Sequence, residues 1–429
     1  MKNINLKVQK IKTGLKGSIT IPSDKSVSHR AAMFSSLTRG NVEISNFSKG
    51  ADCHSTLEVL TQLGVEVKFK SETNLIINNK NGFSTPSEIL NAGNSGTTIR
   101  LMSGMLVGQN FICSITGDES LKTRPMGRII EPLRLMGANI TPDNNDNKAP
   151  LTIIGSKLTG INYNSPISSA QVKSCLILAG LHSEGNTIIT EPYLSRDHTE
   201  KMLKYMGAAI NVHENTVSIT KSELKSVPIS IPGDISSAAF FLVAGSIVPN
   251  SEIIIKNVGL NPTRTGIIDV LTSMGSNIEI LNYRTECGEE VGDIRVSYSK
   301  LKGTIIEGSI IPRLIDELPV IAVAATQAEG QTIIKDAQDL KNKESDRIKT
   351  VCLELEKLGA NIEETPDGFI IEGKTPLKGG CELECYHDHR LAMSWYVAGL
   401  IANSEIIINE FNWVNISFPE FESLMNSCF

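Results

Sequence analysis

Arg134-Leu-Met-Gly137-Ala-Asn-Ile140 is the stretch on which the fold turns. It follows an amphipathic helical segment and runs into a β-branched one. The natural reading is helix, stop, strand, because glycine accepts the left-handed conformation that ends a helix. The same wording returns at Thr61-Gln-Leu-Gly64-Val-Glu-Val67, Lys204-Tyr-Met-Gly207-Ala-Ala-Ile210, Thr272-Ser-Met-Gly275-Ser-Asn-Ile278 and Glu356-Lys-Leu-Gly359-Ala-Asn-Ile362. Successive glycines lie 68 to 84 residues apart, which makes the chain an internal repeat.

Between these helices lie six other apolar helical stretches that open with small or polar residues. Their starts are Ser23-Asp-Lys-Ser26, Asn94-Ser-Gly96, Ser168-Ser-Ala-Gln171, Gly233-Asp-Ile-Ser236, Ile315-Asp-Glu317 and His387-Asp-His-Arg390. Ser, Asn and Asp are natural N-caps. Each helix leads into a strand such as Thr187-Ile-Ile-Thr190 or Glu405-Ile-Ile-Ile408. The pattern predicts an α/β protein of six helix–strand–helix–strand copies, three of them in a domain over residues 23–240. The last copy is short, and the strand-like stretch 1–22 is predicted to complete it. The second domain is then discontinuous, 1–22 and 241–429.

A chain of 429 residues is long enough for two or three domains, and 40% hydrophobic with 21% charged residues suits packed cores. The longest apolar stretch, Ala238 to Val248, is about half of what a membrane span needs. The first twelve residues, MKNINLKVQKIK, show no apolar signal-peptide core, so a cytoplasmic location and no membrane association are expected. Eight scattered cysteines suit reduced thiols. A net charge of −6 argues against nucleic-acid binding. It leaves room for a small anion, because a few arginines in one cleft make a positive pocket on an acidic protein.

The starts of the six helices carry the reactive residue types. Free N–H groups and a partial positive charge make a helix N-terminus attract anions, which predicts an anion-binding cleft between two facing domains. Lys25, Ser26 and Arg30 sit on one helix start, with Arg30 about one turn beyond Ser26. Asn94-Ser-Gly96-Thr-Thr-Ile-Arg100 resembles a phosphate-cradling turn, although it lacks the lysine and the glycine spacing of a P-loop. Arg124, Arg196, Arg347 and Arg390 follow loops and supply forks for phosphates and carboxylates. Asp316 precedes an apolar helix, where it is either an N-cap or a general base, and Glu344 beside Lys343 is a second acid/base candidate. Cys381, Cys385, His387 and His389 lie close together, but their spacing is not a usual zinc pattern.

Taken in order, the segments Asp24–Arg30, Asn94–Arg100, Arg124-Pro-Met-Gly127, Ser169-Ala-Gln171, Ser195-Arg-Asp-His-Thr-Glu200, Ile315-Asp-Glu-Leu-Pro319, Lys343-Glu-Ser-Asp-Arg347 and Asp388-His-Arg390 resemble the 5-enolpyruvylshikimate-3-phosphate synthase family almost end to end. The resemblance implies two similar domains, each of three βαβαββ units with buried parallel helices, an inside-out α/β barrel that closes about a hinge. It implies transfer of the enolpyruvyl group of phosphoenolpyruvate to the 5-hydroxyl of shikimate 3-phosphate by a monomer, without metal or organic cofactor. Lys25, Ser26, Arg30, Ser169, Ala170, Gln171, Arg196, Asp316 and Lys343 would hold shikimate 3-phosphate. Lys25, Gly96, Arg124, Gln171, Arg347 and Arg390 would surround phosphoenolpyruvate. Asp316 would take the hydroxyl proton, and Glu344, helped by Lys25, would manage the proton at the methylene carbon.

Two positions depart from the family pattern. Ile416 stands where some members carry a lysine, and Ala170 where some carry a second serine. The related UDP-N-acetylglucosamine enolpyruvyl transferases have a Gly-Gly-Cys segment before an Arg-Pro. The matching stretch here, Gly117 to Pro125, has no cysteine. An inactive scaffold of the same fold would have shed Asp316, Glu344 and the arginines, all of which are present.

Overall fold

A computed structural model describes residues 4–143 and 147–429. The first three residues of the stretch 1–22 lie outside the described residues. The chain divides into two compact units. The first unit is Ser23–Pro232 together with the short turn Thr285–Glu289, and the second takes the remainder, including the stretch up to Pro22. A cut at 240 would fall inside the helix Ile235–Ile247. That helix is capped by Asp234, whose side chain accepts the Ser236 N–H, so the division comes before the cap, between Pro232 and Gly233.

Among the described residues the strands form six sheets, five of four strands and one of three. The four-stranded sheets share one plan. In the first unit, Leu90–Asn91 runs parallel to Ile112–Thr116, which pairs antiparallel with Leu151–Ile154, which pairs antiparallel with Asn139–Pro142. The parallel pair is joined by the inner helix Gly96–Leu106, and the outer helix Gly127–Leu135 leads into the hairpin. This is a βαβαββ unit, and three such units build each half of the molecule. In the second unit's short copy, Glu382–Leu383 runs parallel to Ile406–Ile408, and Leu6–Val8 adds antiparallel to the same strand.

The repeat glycines sit where a left-handed residue is required. Gly64, Gly137, Gly207, Gly275 and Gly359 all have φ between 84° and 89°, each just after a helix. A side chain there would meet the Cβ–carbonyl clash that L-residues avoid.

The inner helices are Lys25–Ser35, Gly96–Leu106 and Ala170–Gly180 in the first unit, and Ile235–Ile247, Leu318–Gln327 and His389–Gly399 in the second. They are buried nearly all round, which is why sequences such as Ile235–Ile247 and Leu318–Gln327 read as continuous apolar runs. The stretch Ala238 to Val248 is therefore core, and among the described residues no helix is long and apolar enough to cross a membrane. Packing between inner helices is close. A Cβ at Gly104 would lie 2.1 Å from the Cys175 carbonyl oxygen, so the helices bearing Gly96 and Gln171 meet almost backbone to backbone.

Five of the six inner helices begin with a side-chain cap. Asp24 accepts the Val27 N–H, Ser95 the Thr98 N–H, Ser169 the Val172 N–H, Asp234 the Ser236 N–H and Asp388 the Arg390 N–H. The sixth, Glu317, makes no such bond. Its carboxylate accepts instead from the Ser236 hydroxyl.

Candidate active site

In the first unit, three inner-helix starts carry the expected anion ligands. Lys25 is the first residue of its helix, and its ammonium sits 2.9 Å from Asp52. Asp52, which the sequence did not single out, is itself held below its ordinary range. Burial alone would raise it, but Lys25 overrides that. Ser26 follows, its carbonyl accepting from Arg30 at 3.0 Å. Arg30 is only 3% exposed and ties three helices together, donating also to Thr199 Oγ1 at 2.7 Å and Ser174 Oγ at 3.0 Å. Burial pulls its guanidinium down to about 10, against the opposing pull of Glu200.

Gly96 opens its helix beside two arginines. A Cβ there would lie 2.7 Å from Arg100 Nη1 and 3.4 Å from Arg124 Nη1. Arg124 donates to Asn94 Oδ1 at 2.8 Å. Arg100 donates to Gln171 Oε1 at 2.7 Å, and Gln171 Nε2 reaches Thr97 Oγ1 at 3.2 Å. Arg100 closes the Asn94–Arg100 motif, which does not by itself mark it as a ligand. Its place one turn beyond Gly96, facing back toward it, was the available signal. Burial, reinforced by Arg124, lowers its guanidinium to about 10. Ser169 caps the helix that Ala170 and Gln171 begin. Arg196, half-buried, precedes the helix His198–Tyr205, and its charge acts on Arg30.

The second unit gathers the acid–base candidates. Asp316 lies one residue before the cap position, so it is not the helix cap. Its Oδ1 accepts from Lys343 at 3.2 Å and Arg347 at 3.5 Å, and Arg390 stands 4.0 Å from Oδ2. Arg347 is fully buried. It holds Asp388 with two bonds, 2.7 and 3.1 Å, and Glu344 with a third at 2.6 Å. Burial alone would lower its pKa, but Asp388 and Glu344 drive it above its ordinary value. The sequence offers Arg347 as a fork for substrate phosphates and carboxylates; the structure engages every arm of it with the protein's own carboxylates.

Glu344 is 43% exposed at its side chain. Desolvation pushes its carboxyl up, yet Arg347 and then His389 outweigh this and hold it at about 2. Glu317 behaves oppositely. It is 1% exposed, its Oε2 has no hydrogen-bond partner among the described residues, and burial raises its pKa against the pull of Arg390 3.8 Å away. Two neighbouring helix starts thus hold one carboxylate firmly ionised and one biased toward its acid form.

Elsewhere, Ile416 closes a short 3₁₀ helix, Phe411–Ile416, and is 37% exposed. Among the described residues no three His, Cys, Asp or Glu side chains are grouped to hold a metal ion, the Cys381–His389 stretch included. Cys385 is buried, and desolvation raises its thiol above the usual range. Cys113, which stands upstream of the Gly117–Pro125 stretch, is a buried strand residue whose thiol desolvation pushes up to about 11.

The family profile for EPSP synthase (3-phosphoshikimate 1-carboxyvinyltransferase) matches residues 9–425. The chain is 53% identical to 3-phosphoshikimate 1-carboxyvinyltransferase of Thermoanaerobacter sp. (strain X514), over 97% of this chain and 98% of that one. It is 52% identical to the protein of the same name from Bacillus pumilus (strain SAFR-032), over 95% and 96%. Its structure superposes on EPSP synthase from Acinetobacter baumannii with a TM-score of 0.92 at 41% identity, covering 99% of this chain and 98% of that one. With the ordered motifs, the βαβαββ repeat and these end-to-end matches in agreement, the chain belongs to the EPSP synthase family.

Proposed function

We propose that this protein transfers the enolpyruvyl group of phosphoenolpyruvate to the 5-hydroxyl of shikimate 3-phosphate and releases phosphate, a step of aromatic amino-acid biosynthesis. The observation that carries the reading is the setting of Asp316: a half-buried carboxylate between Lys343, Arg347 and Arg390, ahead of an inner-helix N-terminus. A base in that setting accepts a proton while cations hold the anionic partner beside it.

Shikimate 3-phosphate is held by Lys25, Ser26, Arg30, Ser169, Ala170, Gln171, Arg196, Asp316 and Lys343. The N–H groups of the helix that Ala170 begins suit its phosphate. Phosphoenolpyruvate is held by Lys25, Gly96, Arg124, Gln171, Arg347 and Arg390. Since Arg347 already serves Asp388 and Glu344, its part is to fix those carboxylates and lend charge, while the half-buried Arg390 offers the freer fork.

In the first step the 5-oxygen bonds to C2 of phosphoenolpyruvate as Asp316 takes the hydroxyl proton, and C3 gains a proton to become a methyl group. In the second step C3 loses a proton and the C2–O–phosphate bond breaks, so the enol ether and free phosphate leave. Glu344, held ionised near neutrality, is set to remove the C3 proton. Lys25, whose ammonium lies at a helix start, helps by donating the proton in the first step.

The working unit is a single chain in the cytoplasm. Light scattering after size exclusion checks that state. The mechanism is tested by running the reaction in deuterated water. Reversible protonation at C3 places deuterium in the vinyl group of the product. A product free of deuterium would remove the addition–elimination route and the role of Glu344.

A further inference from the structure

A buried ion cluster beneath the helix Ala170–Gly180 has no part in the roles assigned so far. Lys173, Glu191 and Glu200 expose only 1–3% of their side chains. Lys173 Nζ lies 2.9 Å from Glu191 Oε2 and 2.8 Å from Glu200 Oε1, and it donates to the Ser195 carbonyl at 3.3 Å, so all three of its protons are placed.

The rest of Glu191's capacity goes to two loops. Oε1 accepts the Ser169 backbone N–H at 2.7 Å. Oε2 accepts the Ser195 hydroxyl at 2.7 Å and the Ser195 N–H at 3.3 Å. Ser169 leads directly into Ala170 and Gln171, and Ser195 into Arg196. One carboxylate therefore fixes the two loops that present the first unit's last four ligands.

Such a cluster contributes little net stability, because desolvating the charges costs about as much as pairing them returns. What it supplies is geometry. A carboxylate facing a phosphate subsite would also repel the ligand unless a cation offset its charge; Lys173 does so, and although it also meets Glu200, burial biases that second carboxyl toward its neutral form.

We propose that Glu191 is a positioning residue for the phosphate of shikimate 3-phosphate. It sets Ser169 and Ser195, and through them Gln171 and Arg196, at a fixed separation, while Lys173 masks its charge from the ligand. This rests on the function proposed above. Glutamine at 191 keeps the size of the side chain but would turn an NH₂ group either toward the Lys173 ammonium and the Ser195 N–H or, flipped, toward the Ser169 N–H, so donor would face donor.

The test is the affinity of shikimate 3-phosphate and of shikimate, which lacks the phosphate, for wild type and Glu191→Gln by titration calorimetry. The wild type should prefer the phosphorylated ligand. In the variant its Kd should rise about tenfold or more, the scale of one lost charge-assisted hydrogen bond, while that of shikimate stays about the same. Equal weakening of both ligands, or no weakening, would overturn the proposal. If circular dichroism shows Glu191→Gln unfolded, Glu191→Asp is read in its place. It keeps the charge for Lys173 but cannot span both loops, so the same selective loss is expected. A wild type without preference for shikimate 3-phosphate would sink the functional reading itself, and the positioning role with it.

Discussion

Gly96→Ala offers the sharpest test of how the first unit's arginines are set. A Cβ built at Gly96 lies 2.7 Å from Arg100 Nη1. Ordinary contact begins near 3.4 Å, so the guanidinium must retreat by about 0.7 Å. That retreat stretches its 2.7 Å bond to Gln171 Oε1 toward the limit of hydrogen bonding. Losing a hydrogen bond to a charged group costs about 1.5–3 kcal/mol, roughly 10- to 100-fold in affinity for a ligand that depends on Gln171. Arg124 Nη1, already 3.4 Å away, need barely move, so that part of the phosphoenolpyruvate clamp survives. The KM for phosphoenolpyruvate should therefore rise near the low end, about tenfold. Glyphosate, a longer phosphonate–carboxylate inhibitor associated with this family, would lose the same support and also the space the methyl now fills. Its inhibition constant should rise further than the KM. The assay is an inhibition series at several phosphoenolpyruvate concentrations on both forms. Wild-type resistance to millimolar glyphosate, or an alanine variant with unchanged constants, would refute the reasoning.

Three other perturbations bear on the second unit. Asp316→Ala should still bind both substrates but turn over at least ~10²-fold more slowly, as loss of a general base does; near-normal kcat would demote Asp316 to a structural partner of Lys343. Asp388→Asn removes the charge from the two-point contact with the fully buried Arg347. Breaking such a pair costs about 3–5 kcal/mol, lessened here because Glu344 remains, so the urea midpoint should fall; an unchanged midpoint would show that the pair is not strained by the loss. Acid stability should depend on Glu344. Its folded pKa is depressed to about 2, so its stabilising effect is present above its unfolded value near 4.5 and fades as pH falls through about 2. His389, lowered to about 4 by burial, adds acid sensitivity in a higher window, and Glu344→Gln should flatten the part below pH ~4.5 while deepening the His389 part, because the Glu344 charge holds that imidazole up. Identical melting profiles for wild type and variant across pH 2–5 would contradict this.

The repeat was legible because its punctuation is chemical. The five Leu/Met-Gly stops fall on residues with positive φ, and five of six inner-helix starts carry the Ser or Asp cap that their letters suggested. Glu317 broke that rule, because its longer side chain is drawn to Ser236 and Arg390, partners 81 and 73 positions away that local sequence cannot show. The expected boundary at 240 lies eight residues past the division after Pro232 for a related reason. Ile235–Ile247 is apolar all round, so it has no polar face to mark where it belongs, and its Asp234 cap was the one available sign.

The site was legible as a set of residue types and much less as a set of pairings. Arg347 reads as one more fork in the sequence, and only the fold reveals it sealed against Asp388, Glu344 and Asp316. Nothing in the local sequence marks Arg100 as the partner of Gln171 or Asp52 as the partner of Lys25. Glu191 and Lys173 went unremarked, since a Glu before a proline and a Lys inside an apolar helix carry no local signature of a buried pair.

The most direct test of the account is steady-state release of inorganic phosphate from phosphoenolpyruvate by the purified protein. It is run with shikimate 3-phosphate, with UDP-N-acetylglucosamine, and with neither acceptor. The account predicts sustained release only with shikimate 3-phosphate, slowed at least ~10²-fold by Asp316→Ala. Release driven by UDP-N-acetylglucosamine, or none with any acceptor, would contradict it.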